Sequence, residues 1–268
     1  LAPGGGVLAD GPPERVFAEY GEALAAAGVW VPGRPVDLPV LAPVSAPDAV
    51  LRASALSIGR EKGAVVASGL DVSLPRAAGT VITGPNGAGK STLALTLAGL
   101  LPELAGEVVA AEELAARGVR RPVRWRSTEL LTRIGTVFQE PEHQFLAATL
   151  RDELAVGPRA LRMAPAEVDR IVDELLERLD LASLALANPF TLSGGQKRRL
   201  SVATVLAASP EVIVLDEPTF GQDRRGWREL VALLQREIAR GRTVVAVTHD
   251  ADVVHHLGQH RIRMGDAA

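Results

Sequence analysis

The sharpest chemical signal in the chain is the stretch Gly84-Pro85-Asn86-Gly87-Ala88-Gly89-Lys90-Ser91. It fits the pattern Gly-x-x-x-x-Gly-Lys-Ser/Thr. Glycines let a backbone curl until successive N–H groups point inward at phosphate oxygens. A helix that begins where the turn ends adds the positive end of its dipole. Lys90 brings a mobile cation to the β- and γ-phosphates of a nucleoside triphosphate, and the Ser91 hydroxyl is a ligand for Mg²⁺. The surroundings are the ones the pattern requires. Val81-Ile82-Thr83 is an apolar strand candidate before it, and residues 93–101 read as a helix after it, stopped by Pro102. A bare strand-to-helix turn is the plainer alternative, and this context speaks against it. Nucleotide contact is therefore expected at Gly84, Asn86, Gly87, Ala88, Gly89, Lys90, Ser91 and Thr92.

A second element is Val212-Ile213-Val214-Leu215-Asp216-Glu217. Two acids at the end of an apolar strand are unusual, because buried charge is costly. Parallel strands present their C-terminal ends at the ligand crevice. Asp216 would then sit beside the phosphate loop and bind Mg²⁺ through water, and Glu217 would polarise an attacking water. Without the loop, the pair reads equally well as acids leaving a strand into solvent. The third element is Leu192-Ser193-Gly194-Gly195-Gln196, which opens an apolar-periodic stretch through Leu200, Ala203 and Leu206. Ser193 is a good N-cap, and two glycines at a helix start expose backbone N–H groups to an anion.

These residues need a scaffold, and the rest of the chain describes one. Val212–Leu215 and Thr243–Val247 are short, β-branched runs of the buried-strand kind, and residues 106–111 and 135–138 read as further strands. Between them lie amphipathic helical patterns. One starts at Pro165 and carries Val168, Ile171, Val172, Leu175, Leu176 and Leu179; another carries Trp227, Leu230, Val231, Leu234 and Ile238. Alternation of this kind is that of an α/β domain. Of 268 residues 47 % are hydrophobic but only 3 % aromatic, so the core must be built from Ala, Val, Leu and Ile.

Composition also excludes. There is no cysteine, which removes disulfides, thiol catalysis and Cys-bound metals. The net charge of −3 gives no footing for a nucleic-acid partner. The densest basic stretch, Arg117, Arg120, Arg121, Arg124 and Arg126, reads as a solvated loop first and a site for an acidic partner second. Lysine occurs only at positions 62, 90 and 197, which adds weight to Lys90. No apolar run approaches the roughly 20 residues that span a bilayer. The N-terminal region differs from the rest. Residues 6–11 resemble a strand end and turn, residues 14–27 have a helical period, and residues 31–48 are Pro-rich and read as an extended linker. The first residue is Leu1, which suggests a piece of a longer chain.

With the pentapeptide 192–196 lying between a phosphate loop and an Asp-Glu strand end, residues 51–268 resemble the ATP-binding cassette of ABC transporters. The resemblance implies a P-loop NTPase with a RecA-like core sheet, an antiparallel β subdomain and an α-helical signature subdomain at about residues 140–205. It implies ATP and Mg²⁺ as cofactors, with Ser91, Gln139 and Asp216 on the metal. Gln139 looks like the family's Q-loop glutamine, Gly221-Gln222-Asp223 like its D-loop, and His249 like the switch histidine that contacts the γ-phosphate. Catalysis would fall to Glu217, His249 and Gln139. As an isolated residue, His249 would read as structural; its position just past a strand end reverses that.

Family members pair two cassettes head to tail, so Ser193 and Gly195 are expected to serve the partner's nucleotide, and Gln196 and Asp223 are expected among the nucleotide-binding residues. A monomer would be an incomplete ATPase. One departure stands out: Leu56-Ser57-Ile58-Gly59-Arg60 lacks the aromatic ring the family places on adenine. Either the Arg60 guanidinium stacks on the base or apolar contacts alone hold it. Val137 to Leu154 looks like the corresponding region of energy-coupling-factor importers of vitamins, vitamin precursors, cobalt or nickel. On that resemblance residues 1–31 end a preceding cassette and 32–50 form a linker. The expected partners are a second cassette and a transmembrane permease, at the cytoplasmic face of the membrane. A soluble tandem-cassette ATPase of translation or DNA repair shares the motifs, but predicts a basic face and a long charged helix between cassettes.

Overall fold

Two sheets of opposite character position the motifs. The computed structural model describes residue 7 and residues 9–44, 48–60 and 64–265. The first sheet is antiparallel, in the order β2-β1-β4, with β1 at Ala49–Ile58, β2 at Ala67–Pro75 and β4 at Ala105–Ala110. The second is parallel throughout, in the order β5-β6-β7-β3-β8. Its strands are β3 (Gly79–Thr83), β5 (Ile134–Val137), β6 (Val212–Asp216), β7 (Thr243–Val247) and β8 (His260–Arg263). β7 is buried along its whole length, and β3 and β6 all but their last residue, as expected for strands covered on both faces. In register, Ile82 pairs with Val247 and Asp216 also pairs with Val247. The C-terminal ends of β3, β6 and β7 therefore lie side by side.

The helices are α1 (Pro13–Ala26), α2 (Lys90–Leu97), α3 (Ser127–Leu131), α4 (Leu150–Ala160), α5 (Pro165–Arg178), α6 (Gly194–Ala207), α7 (Arg224–Ala239) and α8 (Ala251–Leu257). α4, α5 and α6 pack together through Leu150, Leu154, Val172, Leu176, Leu200 and Ala203, all buried. α2 starts at Lys90 and ends four residues before the sequence suggests. Gly99 turns the chain with φ +75°, Leu100 N–H returns to Leu95 O at 2.9 Å, and Pro102 has nothing left to stop. A side chain at Gly99 would come within 2.6 Å of the Pro122 backbone, so only glycine fits.

The arginine-rich stretch is largely engaged within its own lobe. Arg121 pairs with Glu103, Arg117 with Glu129, and Arg120 Nε donates to Ala110 O. Residues 29–44 run along α7 and α8 without helix or strand, turning at Val31–Arg34, with Val31 and Val36 buried. Residues 45–47 of the Pro-rich stretch, and residues 6 and 8 of the expected strand end and turn at 6–11, lie outside the described residues; residues 7 and 9–11 form no strand.

Candidate nucleotide-binding site

β3 delivers its last residue, Thr83, to the turn 84–89. Gly84 has φ +142°, and a Cβ there would lie 2.3 Å from Met264 O. Gly89, at φ +90°, is the N-cap of α2 and offers no side chain to the first-turn N–H groups, which stay available to an anion. Lys90 is 9 % exposed and folds back over the turn, donating from Nζ to Gly84 O at 3.0 Å and Pro85 O at 2.9 Å.

The facing wall comes from the end of β6. Asp216 is half-buried, and burial is the main cause that raises its carboxyl above the usual carboxylate range; the Ser91 hydroxyl, Arg198 and Lys90 pull it back, and Glu217 pushes it further up. Its Oδ1 is buried without a hydrogen-bond partner. Glu217 sits in the left-handed region at φ +48°, a conformation that costs a non-glycine residue of order 1–3 kcal/mol and recurs at functional sites. Its N–H bonds Val247 O at 2.9 Å. Its Oε1 lies 2.8 Å from His249 Nδ1, and Oε2 accepts from Thr248 Oγ1 at 3.5 Å. The strand ends of β6 and β7 thus assemble a carboxylate, an imidazole and a hydroxyl.

These groups open onto a cleft of about 570 Å³. It brings together Arg60, Asn86, Gly87, Gly89, Lys90, Ser91, Thr92, Gln139, Asp216 and Glu217. Gly84 and Ala88 belong to the turn behind its lining, and His249 reaches it through Glu217. Arg60, Ala64 and Val66 also line it, so the cleft offers both a guanidinium and an apolar surface.

The remaining expected residues lie elsewhere. Ser193 caps α6: its Oγ accepts from Gln196 N at 3.3 Å, and Gln196 Oε1 accepts from Ser193 N at 2.9 Å. The Ser-x-x-Gln spacing is thus a capping box. Asp223 caps α7 by accepting from Gly226 N at 2.7 Å. Gly194, Lys197, Phe220 and Gly221 line a second cleft of about 290 Å³, to which Gln139 also belongs.

Three supporting residues, Arg198, Thr248 and Asp250, escape the motif reading, and a fourth, Gln222, makes a contact that its D-loop motif does not announce. Arg198, 3 % exposed, donates to Phe138 O at 2.6 Å, to Gln139 O, and to Asp216 O at 3.4 Å. One guanidinium so ties the glutamine loop to the strand that bears the carboxylates. Its signal was legible: Arg198 precedes the buried Val202 and Val205 by four and seven residues, on the core face of a helix. Gln222 Nε2 donates to Gly195 O at 3.2 Å. Thr248 backs Glu217. Asp250 caps α8 with one oxygen, and with the other accepts from Thr219 Oγ1 at 3.1 Å and Trp227 Nε1 at 2.7 Å. Those three depend on partners far away in sequence.

Comparison with known proteins meets this geometry. A profile of the ABC transporter family matches residues 67–220. The putative HMP/thiamine import ATP-binding protein YkoD of Bacillus subtilis is 41 % identical over 207 residues, which cover 77 % of this chain and 36 % of YkoD. The energy-coupling factor transporter ATP-binding protein EcfA of Carboxydothermus hydrogenoformans is 40 % identical over 185 residues, 69 % of this chain and 66 % of that protein. The structure of cbiO1 from Clostridium perfringens, part of the ABC transporter complex cbiONQ, superposes with a TM-score of 0.68 at 29 % identity, covering 81 % of this chain and 85 % of that one. This chain therefore spans about a third of the length of one such relative and about two thirds of the other. A phosphate turn at the end of β3, an acid pair at the end of β6, a capped signature helix and a family profile across all three make this chain a member of the ABC transporter family, an ATP-binding cassette.

Proposed function

We propose that the chain binds Mg-ATP in the larger cleft, hydrolyses it between two cassettes, and so powers an importer of the energy-coupling-factor type. The observation that carries this is Glu217, held by His249 and Thr248 at the mouth of a phosphate turn. The turn N–H groups and Lys90 hold the triphosphate tail. Glu217 accepts the proton of the water whose oxygen attacks the γ-phosphorus, and the bond from that phosphorus to the β-bridging oxygen breaks. His249 fixes the carboxylate and, on the family resemblance, meets the γ-phosphate. Phosphoryl transfer asks mainly for positioning and charge neutralisation, which these groups supply.

Mg²⁺ fits the residues present. The buried, unpartnered Asp216 Oδ1, the Ser91 hydroxyl and the Gln139 amide are hard oxygen donors on one cleft. They would hold the ion, which when bound neutralises phosphate charge. Arg60 or the Val66 surface would hold the base.

Ser193, Gly195, Gln196 and Asp223 act, in this reading, on the nucleotide of a second cassette; their place outside the chain's own cleft supports it. The names of the relatives, which speak of import and of an energy-coupling factor transporter, support the importer type; a transmembrane permease as partner, with the cassette peripheral on the cytoplasmic face, follows from the family resemblance. Among the described residues no helix is long and apolar enough to cross a membrane. The same reading makes residues 1–31 the end of a preceding cassette, 32–50 a linker and 51–268 the catalytic unit; the absence of helix and strand across 29–44 supports the linker. The test is Lys90→Ala beside wild type. The variant should lose tight Mg-ATP binding, and wild-type specific activity should rise with protein concentration. Equal affinity in both chains, or turnover independent of dilution, would overturn the proposal.

A further inference from the structure

The strap 29–44 is bound mainly through its carbonyl oxygens. Prolines have no N–H to give, so a Pro-rich strap presents carbonyls. The cassette answers with donors: Arg224 to Pro35 O at 2.9 Å, Gln235 to Pro39 O at 2.8 Å and Gln259 to Ala42 O at 3.0 Å. At the two ends the direction reverses, and at the far one Val44 N donates to Gln259 O at 3.1 Å. Trp30 Nε1 donates to Gln222 O at 3.1 Å, while Gly28 O accepts from Arg224 N at 2.8 Å. Residues 28 and 30 thereby hold the main chain at Gln222 and Arg224, one on each side of Asp223 in sequence.

The 221–223 turn is a junction. The Gln222 side chain, 8 % exposed, reaches Gly195 O at the start of α6. The Trp30 ring stands edge-on to Trp227 at 5.9 Å, and Trp227 donates to Asp250, the neighbour of His249. Trp30 itself is 41 % exposed. A tryptophan that leaves so much of its ring in water is a poor choice for burial alone and a good one for an N–H held at a fixed point.

We propose that Trp30 is a positioning residue for ATP hydrolysis. It fixes Gln222, and through Gln222 the spacing between the signature helix and the Asp223 turn, so that displacement of the N-terminal strap is felt at the hydrolytic groups. The inference rests on the ATPase reading above. A strap that is only a packing element predicts a loss of stability and nothing more.

The test uses the full chain with Trp30→Phe, which keeps an aromatic edge but not the N–H, Trp30→Ala, and Gln235→Ala, which loosens the strap far from the turn. Melting temperature, ATP affinity with a fluorescent ATP analogue, and kcat are read for each. Trp30→Phe should lower kcat about threefold to tenfold, the scale of one neutral hydrogen bond, with ATP affinity unchanged. Trp30→Ala should lower it at least as far. Gln235→Ala should lower the melting temperature and leave kcat as it was. Wild-type kcat in both Trp30 variants, or a fall in Gln235→Ala matching its loss of stability, overturns the inference while the ATPase reading stands. No turnover by the unaltered chain at any concentration overturns both.

Discussion

Replacing Arg198 by methionine keeps the length of the side chain and removes its charge and its donors. The guanidinium serves three carbonyls, two on the glutamine loop and one at Asp216. Burial lowers its pKa from the ordinary value, while Asp216 and Glu217 raise it. A hydrogen bond from a charged group contributes about 1.5–3 kcal/mol, and a buried acceptor that loses its donor costs about 1–3 kcal/mol. Desolvation of the guanidinium offsets part of that sum. The net loss should fall near 3–5 kcal/mol, the range found when one partner of a buried ionic contact is removed. Native stabilities are about 5–15 kcal/mol, so the variant should still fold. Its melting temperature should drop by roughly 6–20 °C, at 2–4 °C per kcal/mol for a chain of this size. Turnover should fall further than stability alone explains, because Gln139 and Asp216 lose their common anchor. Arg198→Lys should restore little, since one ammonium cannot span three carbonyls. Urea denaturation and steady-state ATPase assays decide the matter. A methionine variant within about 1 kcal/mol of wild type and fully active would refute the reasoning.

Glu217→Gln should bind Mg-ATP as tightly as wild type and hydrolyse it about 10²–10⁴ times more slowly, the usual contribution of a general base; single-turnover kinetics check this. Gly84→Ala should abolish nucleotide binding, because the new Cβ meets Met264 O at 2.3 Å in a backbone conformation unsuited to side chains; calorimetry with ATP reads it. Asp250→Ala should cost about 1 kcal/mol for the lost α8 cap and more for the Thr219 and Trp227 donors left without an acceptor; thermal denaturation measures it. Burial lowers the pKa of His260. The folded state thus resists its protonation, and stability present above the ordinary histidine value of about 6.5 should decline as pH falls through it. His260→Gln should flatten that part of the pH–stability curve.

The site was legible where chemistry depends on neighbours in sequence. The turn 84–91, the acid pair 216–217 and the capped start of α6 each need residues at fixed short spacing, and β6 and β7 stand where their apolar runs put them. The antiparallel strands β1 and β2 gave no clean signal. β1 alternates imperfectly and shifts register at two points along its pairing with β2 between Ala53 and Ile58, so its period of two is broken. α2 was read too long because apolar residues continue to Leu101, while a left-handed glycine ends the helix first. The contacts of Arg198 and Gln222 stayed hidden, although the charge of Arg198 on the core face of α6 was legible, because their partners are main-chain atoms far along the chain, which no local spacing records.

Ser193 and Glu217 share a chain yet do not open on the same cleft. In a head-to-tail pair of identical subunits each catalytic compartment would then borrow one of these residues from each subunit. Damage both in a single subunit, and its intact companion rescues neither compartment. Distribute the two lesions over separate subunits, and one compartment collects both while the other is whole. Mixed assemblies of the singly altered chains should therefore regain activity that each alone lacks, and the doubly altered chain should poison its healthy counterpart.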